Sequence, residues 1–369
     1  MIALFNKYPL LSKRLAHVEL AELPTPVERM ARLGADLGVE ELFVKRDDLS
    51  GRLYGGNKVR KLEFLLGQAL AEGRKAVMTF GCAGSNHALA TGIYAREKGL
   101  RSLSMFVPQP RARYVRRNLL RGLAAGVEFH CYRGGAGTLL GTWSEMLSSG
   151  LRDRRLPMII PFGGTTPLGI AGFVNAALEL REQVDAGLLP EPDLIYCPFG
   201  SMGTAVGLAL GCLAAGMKSR VTAVRVVDGR FAGERVALQL FEKTNSLLAG
   251  ADPGFPRFSA DGAPLDIRHD YYGKEYALFS EEGLAAMSLI RKTEGIGLEG
   301  CYTGKALAAL VGDARASRLK GKRVLFWNTY NSRDFGPLIE GLDYHRLPSA
   351  LWEYYEKDLQ PLDREEAPC

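Results

Sequence analysis

Short apolar runs bounded by glycine alternate with apolar stripes at helical spacing along most of the chain. The runs beginning at Glu41, Ala76, Leu103, Val127, Met158, Leu194, Val221 and Val324 have the length and composition of buried strands. Helical periodicity lies between them: from Lys58, from Ser85 to about Lys98, in the arginine-rich stretch after Val107, around Trp143 and from Ile170 to Val184. It returns after Thr204, from Glu281 to Lys292, and from about Lys305 to Arg315. Strands alternating with helices predict an α/β fold with parallel sheets and right-handed crossovers. The first fifty residues read as a loop-rich arm, with a rigid turn at Leu23-Pro24-Thr25-Pro26-Val27 and a helix through Arg32. Residues 241–269 read as loop, and the tail after Tyr344 as a surface helix.

The chain is organised around Gly55-Gly56-Asn57-Lys58-Val59-Arg60-Lys61-Leu62-Glu63. Asn57 is a preferred capping type, and the glycines allow close approach before it. Lys58 then stands at a helix start with Lys61 one turn on. A positive environment of that kind favours a neutral, nucleophilic amine, although a solvated basic helix start has the same pattern. Three further turns open helices after strands. Gly200-Ser201-Met202-Gly203-Thr204 has the glycines, hydroxyls and helix N-terminus of an anion cradle. It lacks the P-loop lysine and the dinucleotide spacing, so no nucleotide is implied. Ser85-Asn86-His87 serves equally as a cap or as a polar patch at the carboxyl end of a sheet. Gly163-Gly164-Thr165-Thr166 is the third.

Composition narrows the classes. With 369 residues, 47% apolar and 24% charged, the chain has the make-up of an ordinary globular protein with room for two domains. The net charge is +6. Its densest basic group, Arg111, Arg113, Arg116, Arg117 and Arg121, reads as a solvated helix face or a site for an acidic neighbour, not a nucleic-acid stripe. No apolar run spans a bilayer, and the first residues lack a signal-peptide layout. The six cysteines form no C-x-x-C pair, which points to reduced thiols, a cytoplasmic protein and no bound metal.

The lysine stretch closely resembles the cofactor-binding motif of the 1-aminocyclopropane-1-carboxylate deaminase and D-cysteine desulfhydrase family, within the tryptophan synthase β-type (fold type II) pyridoxal-phosphate enzymes. The likeness continues through Ser85-Asn86-His87, Gly163-Gly164, Gly200 to Thr204, Tyr271-x-Gly273-x-x-Tyr276, Tyr302-Thr303-Gly304-Lys305 and the last strand, from the Pro24 arm to about Asn331. It implies two open, twisted, mostly parallel sheets flanked by helices. The cofactor, pyridoxal 5'-phosphate, would lie between a larger domain (1–54 and 165–369) and a smaller one (55–164). Carried over residue by residue, Lys58 is the Schiff-base lysine and proton carrier. Lys61, Gly200, Ser201, Met202, Gly203 and Thr204 meet the phosphate. Asn86 holds the phenolic oxygen, Ser85 and His87 with Asn86 receive the substrate carboxylate, and Tyr271 and Tyr302 are the active-site tyrosines. A homodimer acting on a small amino acid is the family expectation.

Thr303 sharpens the expectation. The deaminases carry an acidic residue there against the pyridine nitrogen, whereas Thr303 paired with Thr329 resembles the desulfhydrase pattern and brings no charge. The implied reaction is β-elimination and deamination of a substrate of D-cysteine type, giving pyruvate, ammonia and sulfide. Cyclopropane ring opening, another β-substituted amino acid, β-replacement and a cofactor-binding protein without catalysis are the alternatives. Two departures bear on the substrate. Tyr330-Asn331 replaces the usual glycines after the last strand, putting Tyr330 near the substrate, and Glu299-Gly300-Cys301 replaces Asp-Pro and a small apolar residue.

Overall fold

The computed structural model describes residues 1–132 and 135–364. The chain divides into two units, Met1–Phe64 with Thr165–Ser332, and Leu65–Gly164 with Arg333–Cys369. Ten strands are present among the described residues: β1 (Val27–Arg29), β2 (Glu41–Lys45), β3 (Ala76–Cys82), β4 (Arg101–Val107), β5 (Glu128–Cys131), β6 (Met158–Ile160), β7 (Leu194–Phe199), β8 (Arg220–Arg225), β9 (Leu265–Arg268) and β10 (Arg323–Trp327).

The first unit holds a six-stranded sheet in the order β1-β2-β10-β7-β8-β9. All its pairs are parallel except β1 with β2 at one edge. Alternate residues serve opposite faces, as strand geometry requires. Ile195, Cys197, Phe199, Val221, Leu325 and Trp327 pack into one core, and Tyr196, Val224, Val324 and Phe326 into the other. Both faces are therefore covered, which explains why these strands read as continuous apolar runs. Helices Pro167–Asp185 and Gly203–Ala215 pack closely on the first face. A Cβ at Gly207 would come within 2.4 Å of Phe173 Cβ, and one at Gly211 within 2.6 Å of Ala177 Cβ. Helices Ala31–Leu37, Glu281–Glu294 and Thr303–Arg315 contribute to the second face.

The second unit holds a wholly parallel four-stranded sheet in the order β5-β4-β3-β6. Its helices include Asn86–Glu97, Arg113–Ala124 and Gly135–Asp153. Both sheets are mostly parallel and flanked by helices, the α/β architecture expected from the sequence.

Several local expectations are corrected. Helix Glu234–Ala251 and strand β9 occupy much of the stretch read as loop. The helix buries Ala237, Phe241 and Leu248 at helical spacing, under the polar run Glu242 to Ser246 that hides it in the sequence. The N-terminal arm forms short helices at Ala3–Lys7 and Leu11–Arg14, and β1 precedes helix Ala31–Leu37 where a helix through Arg32 was expected. The tail is a series of single turns rather than one helix. The arginine-rich face is not simply solvated, because it grips that tail. Arg111 Nε donates to Asp358 O at 2.7 Å, Arg116 Nε to Tyr354 O at 2.6 Å and Arg113 Nε to the Asp363 carboxylate at 3.0 Å.

Candidate active site

In the first unit, the carboxyl ends of the neighbouring strands β2, β10 and β7 lead into Asp47, Asn328 and Gly200. Open α/β sheets bind ligands at such ends. The turn before Lys58 is held by two of them. Gly56 N–H donates to Asp47 O at 2.8 Å, and Asn57 N–H to Thr329 O at 3.1 Å. Gly55 N–H donates to Asn331 Oδ1 at 2.6 Å. Gly56 has φ +94, and a Cβ there would lie 2.9 Å from Thr329 O and 3.2 Å from Tyr330 O, so this position requires glycine. Thr329 and Tyr330 thus close on the lysine turn through their main chain.

Helix Lys58–Ala71 follows. Lys58 Nζ donates to Asn57 Oδ1 at 2.9 Å, while Asn57 Nδ2 donates to Thr204 Oγ1 at 2.9 Å. Lys58 keeps a partly exposed surface, yet burial pushes its ammonium down to about 8, with Glu299 acting in the opposite direction. The cause of the Lys58 shift is burial and not the neighbouring cation expected from the sequence. A neighbouring cation acts instead on Lys61, which burial first and Lys58 second hold well below the ordinary lysine range.

Lys61 Nζ lies 3.2 Å from Thr165 Oγ1, beside the start of helix Gly203–Ala215. Among the described residues no side chain caps that helix. Met202 enters it at φ +67, and a Cβ on Gly203 would lie 2.7 Å from Lys61 Nζ and 3.1 Å from Thr165 Oγ1. Glycine therefore leaves a hollow between a buried amine, a hydroxyl and first-turn N–H groups, which is suited to an anion. Thr165, from the Gly163-Gly164-Thr165-Thr166 turn, belongs to this cradle, a contact that only the folded chain reveals. Thr166 Oγ1 caps helix Pro167–Asp185 by accepting from Gly169 N–H at 3.0 Å.

The same unit brings up the Tyr302-Thr303 helix start. An added Cβ on Gly200 would lie 3.1 Å from Tyr302 Cε1. The Tyr302 hydroxyl meets that of Tyr276 at 2.5 Å. Tyr271 goes elsewhere. Its hydroxyl lies over Gly312, where a Cβ would be 2.2 Å away, and its ring under Arg268. The partner of Tyr302 is therefore Tyr276, the second tyrosine of the Tyr271-x-Gly273-x-x-Tyr276 pattern. Glu299, which in sequence is only a departure from the family pattern, is buried and accepts three N–H bonds: Cys301 at 2.7 Å, Tyr302 at 2.8 Å and Thr303 at 2.8 Å.

In the second unit, Ser85 caps helix Asn86–Glu97 by accepting from Ala88 N–H at 3.2 Å. Asn86 Oδ1 accepts from Asn118 Nδ2 at 2.8 Å, and the same Nδ2 donates to Gly84 O at 2.9 Å. His87 is buried, and a Cβ on Gly164 would lie 3.0 Å from its Cε1.

Residues 18–329 match the family of pyridoxal-phosphate dependent enzymes. The chain belongs to that family. A putative 1-aminocyclopropane-1-carboxylate deaminase of Pyrococcus horikoshii is 33% identical over 89% of this chain and 94% of its own. A nocardicin C-9' epimerase of Nocardia uniformis subsp. tsuyamanensis is 33% identical over 82% of this chain and 90% of its own. A D-cysteine desulfhydrase of Klebsiella pneumoniae is 33% identical over 86% and 94%. A crystal structure described as an ACC deaminase homologue superposes with a TM-score of 0.73 at 31% identity, covering 89% of this chain and 94% of that one. The residues of this pyridoxal-phosphate enzyme fit the cofactor. The Gly203 cradle beside Lys61 and Thr165 has the donors a phosphate needs, and Lys58 has an amine whose ammonium form is weakened. Among the described residues no helix is long and apolar enough to cross a membrane.

Proposed function

We propose that the protein catalyses β-elimination and deamination of a small β-substituted amino acid of D-cysteine type. Lys58 would form the bond to the cofactor and move the α-proton. The observation that carries this reading is the pairing of Lys58, its ammonium lowered to about 8, with the Lys61–Thr165–Gly203 anion hollow on the same strand ends. When bound, the cofactor supplies the electron sink. Lys61 and the loop Gly200, Ser201, Met202, Gly203, Thr204 would hold its phosphate, and Thr303 with Thr329 would receive its ring nitrogen. Asn86, whose oxygen accepts from Asn118, would meet the phenolic oxygen. Ser85 and His87 provide a helix start suited to the substrate carboxylate. Tyr302 and Tyr276 share a hydroxyl contact fit for proton transfer near the leaving group. Similarity to a D-cysteine desulfhydrase supports the substrate class. A cytoplasmic homodimer completes the proposal.

A second reading is opening of the cyclopropane amino acid. It is favoured by the buried Glu299 carboxylate beside Thr303, which returns an acidic group to a position that otherwise has only a hydroxyl. The test is the visible absorbance of the purified protein in wild type and Lys58→Ala, followed by product assays with D-cysteine, L-cysteine and the cyclopropane amino acid. Pyruvate and sulfide from D-cysteine, with the band lost in Lys58→Ala, supports the first reading. 2-Oxobutanoate and ammonia from the cyclopropane substrate alone would replace it with the second.

A further inference from the structure

Thr303 is not an isolated hydroxyl. Its Oγ1 accepts the Glu299 N–H at 3.0 Å, which uses one lone pair. Its own proton faces Glu299 Oε1 at 3.3 Å and Glu299 O at 3.4 Å, both of which only accept. The hydroxyl has one lone pair left, and a group that meets it there must bring the proton. Behind it stands the Glu299 carboxylate, with three backbone N–H donors at the start of the thirteen-residue helix Thr303–Arg315. Burial pushes its carboxyl above the ordinary range, while the three backbone N–H donors and the Thr303 hydroxyl pull it back toward the charged form.

We infer that Glu299, acting through the Thr303 hydroxyl, supplies the negative charge that keeps the cofactor's ring nitrogen protonated. The inference rests on the reading above that Thr303 receives that nitrogen. Glu299 is then a positioning residue, two bonds removed from the ring. A threonine at position 303 then does not by itself mean an uncharged contact, because the acid sits one layer back. A protonated ring is the stronger electron sink, so reactions that need a well-stabilised carbanion stay open to this enzyme.

The experiment is to load wild type, Glu299→Gln, Glu299→Asp and Thr303→Val with cofactor labelled with 15N in the ring, and to read the ring-nitrogen resonance near neutral pH. Wild type and Glu299→Asp are expected at the protonated position, and Glu299→Gln and Thr303→Val shifted to the unprotonated one. An unprotonated wild type, or a Glu299→Gln enzyme that stays protonated, overturns the inference. Should Glu299→Gln fail to fold, Thr303→Val decides in its place, since it keeps the carboxylate and its three N–H donors. Borohydride reduction and peptide mass on the same wild-type sample separate the two levels. Label trapped on Lys58 with an unprotonated ring removes only the Glu299 role. No label on Lys58 removes the functional reading and this inference with it.

Discussion

Arg60 holds Asp47 with two hydrogen bonds, Nε to Oδ2 at 2.9 Å and Nη2 to Oδ1 at 2.8 Å, and the main-chain oxygen of that aspartate fixes Gly56 at 2.8 Å. One residue thus ties the turn before Lys58 to the helix after it. Around the pair, Glu179 accepts from Arg60 Nη1 at 2.9 Å and from Lys45 Nζ at 2.6 Å, and Trp327 Nε1 donates to Asp47 Oδ2 at 2.8 Å. All of these groups are buried, and the two cations hold the Glu179 carboxyl down at about 2.

Removing one partner from such a set leaves an uncompensated buried charge. Asp47→Ala is expected to lower the unfolding free energy by about 3–5 kcal/mol. Urea unfolding of wild type and variant measures it. A loss under about 1 kcal/mol, the scale of a surface pair, would show that the network does not anchor the lysine turn.

Gly203→Ala tests the anion hollow. The new Cβ would stand 2.7 Å from Lys61 Nζ, the far end of a flexible chain that can swing aside, so the fold survives while the hollow fills. Cofactor affinity is expected to fall at least about tenfold, roughly 1.4 kcal/mol, with little change in melting temperature. Cofactor titration followed by absorbance reads this. Unchanged affinity would move the phosphate elsewhere.

Much of this arrangement was legible locally. Lys58, its glycines, the Gly200 to Thr204 loop and the strand pattern are short-range features, and each is set by a turn, a helix start or a period. What escaped depends on pairing across the chain. Arg60 with Glu179 and Trp327 with Asp47 join residues 119 and 280 positions apart, and no local pattern encodes either. Tyr271 and Tyr276 share one motif, and only the folded path separates them. The chain turns through Gly273 at φ +79 between them, and Tyr276 meets Tyr302 while Tyr271 meets Gly312. Thr303 looked uncharged because its carboxylate neighbour lies four residues back along a loop.

Lys58 predicts a pH dependence. Its folded value is about 8 against an ordinary 10.5, so between these the unfolded chain binds the extra proton, and this residue's contribution to stability rises with pH through that window. In cofactor-free protein the neutral amine is the reactive form. The initial rate of cofactor capture should therefore climb to a plateau above pH about 8 and fall roughly tenfold per pH unit below it. Glu299 acts to raise the Lys58 value, so Glu299→Gln should move the midpoint to lower pH. A midpoint near 10.5, or one that Glu299→Gln moves upward, contradicts the electrostatics described here.

The tyrosines supply a matched pair of variants. Tyr276→Phe leaves the Tyr302 hydroxyl without the partner it meets at 2.5 Å, while the Lys61 hollow and Lys58 are untouched. Turnover is expected to fall on the order of 10²-fold, the scale of one proton-transfer group, with the cofactor band retained. Tyr271→Phe removes a hydroxyl that lies over Gly312 on the later part of helix Thr303–Arg315, so turnover should stay within about twofold. Steady-state rates on the substrate identified by product assay, with the band recorded for each variant, make the comparison. Equal losses in both variants, or a loss in Tyr271→Phe alone, would return the role to Tyr271. A drop in Tyr276→Phe alone ties the chemistry to the hydroxyl pair, because the two substitutions remove the same atom from the same motif and differ only in where the fold has placed it.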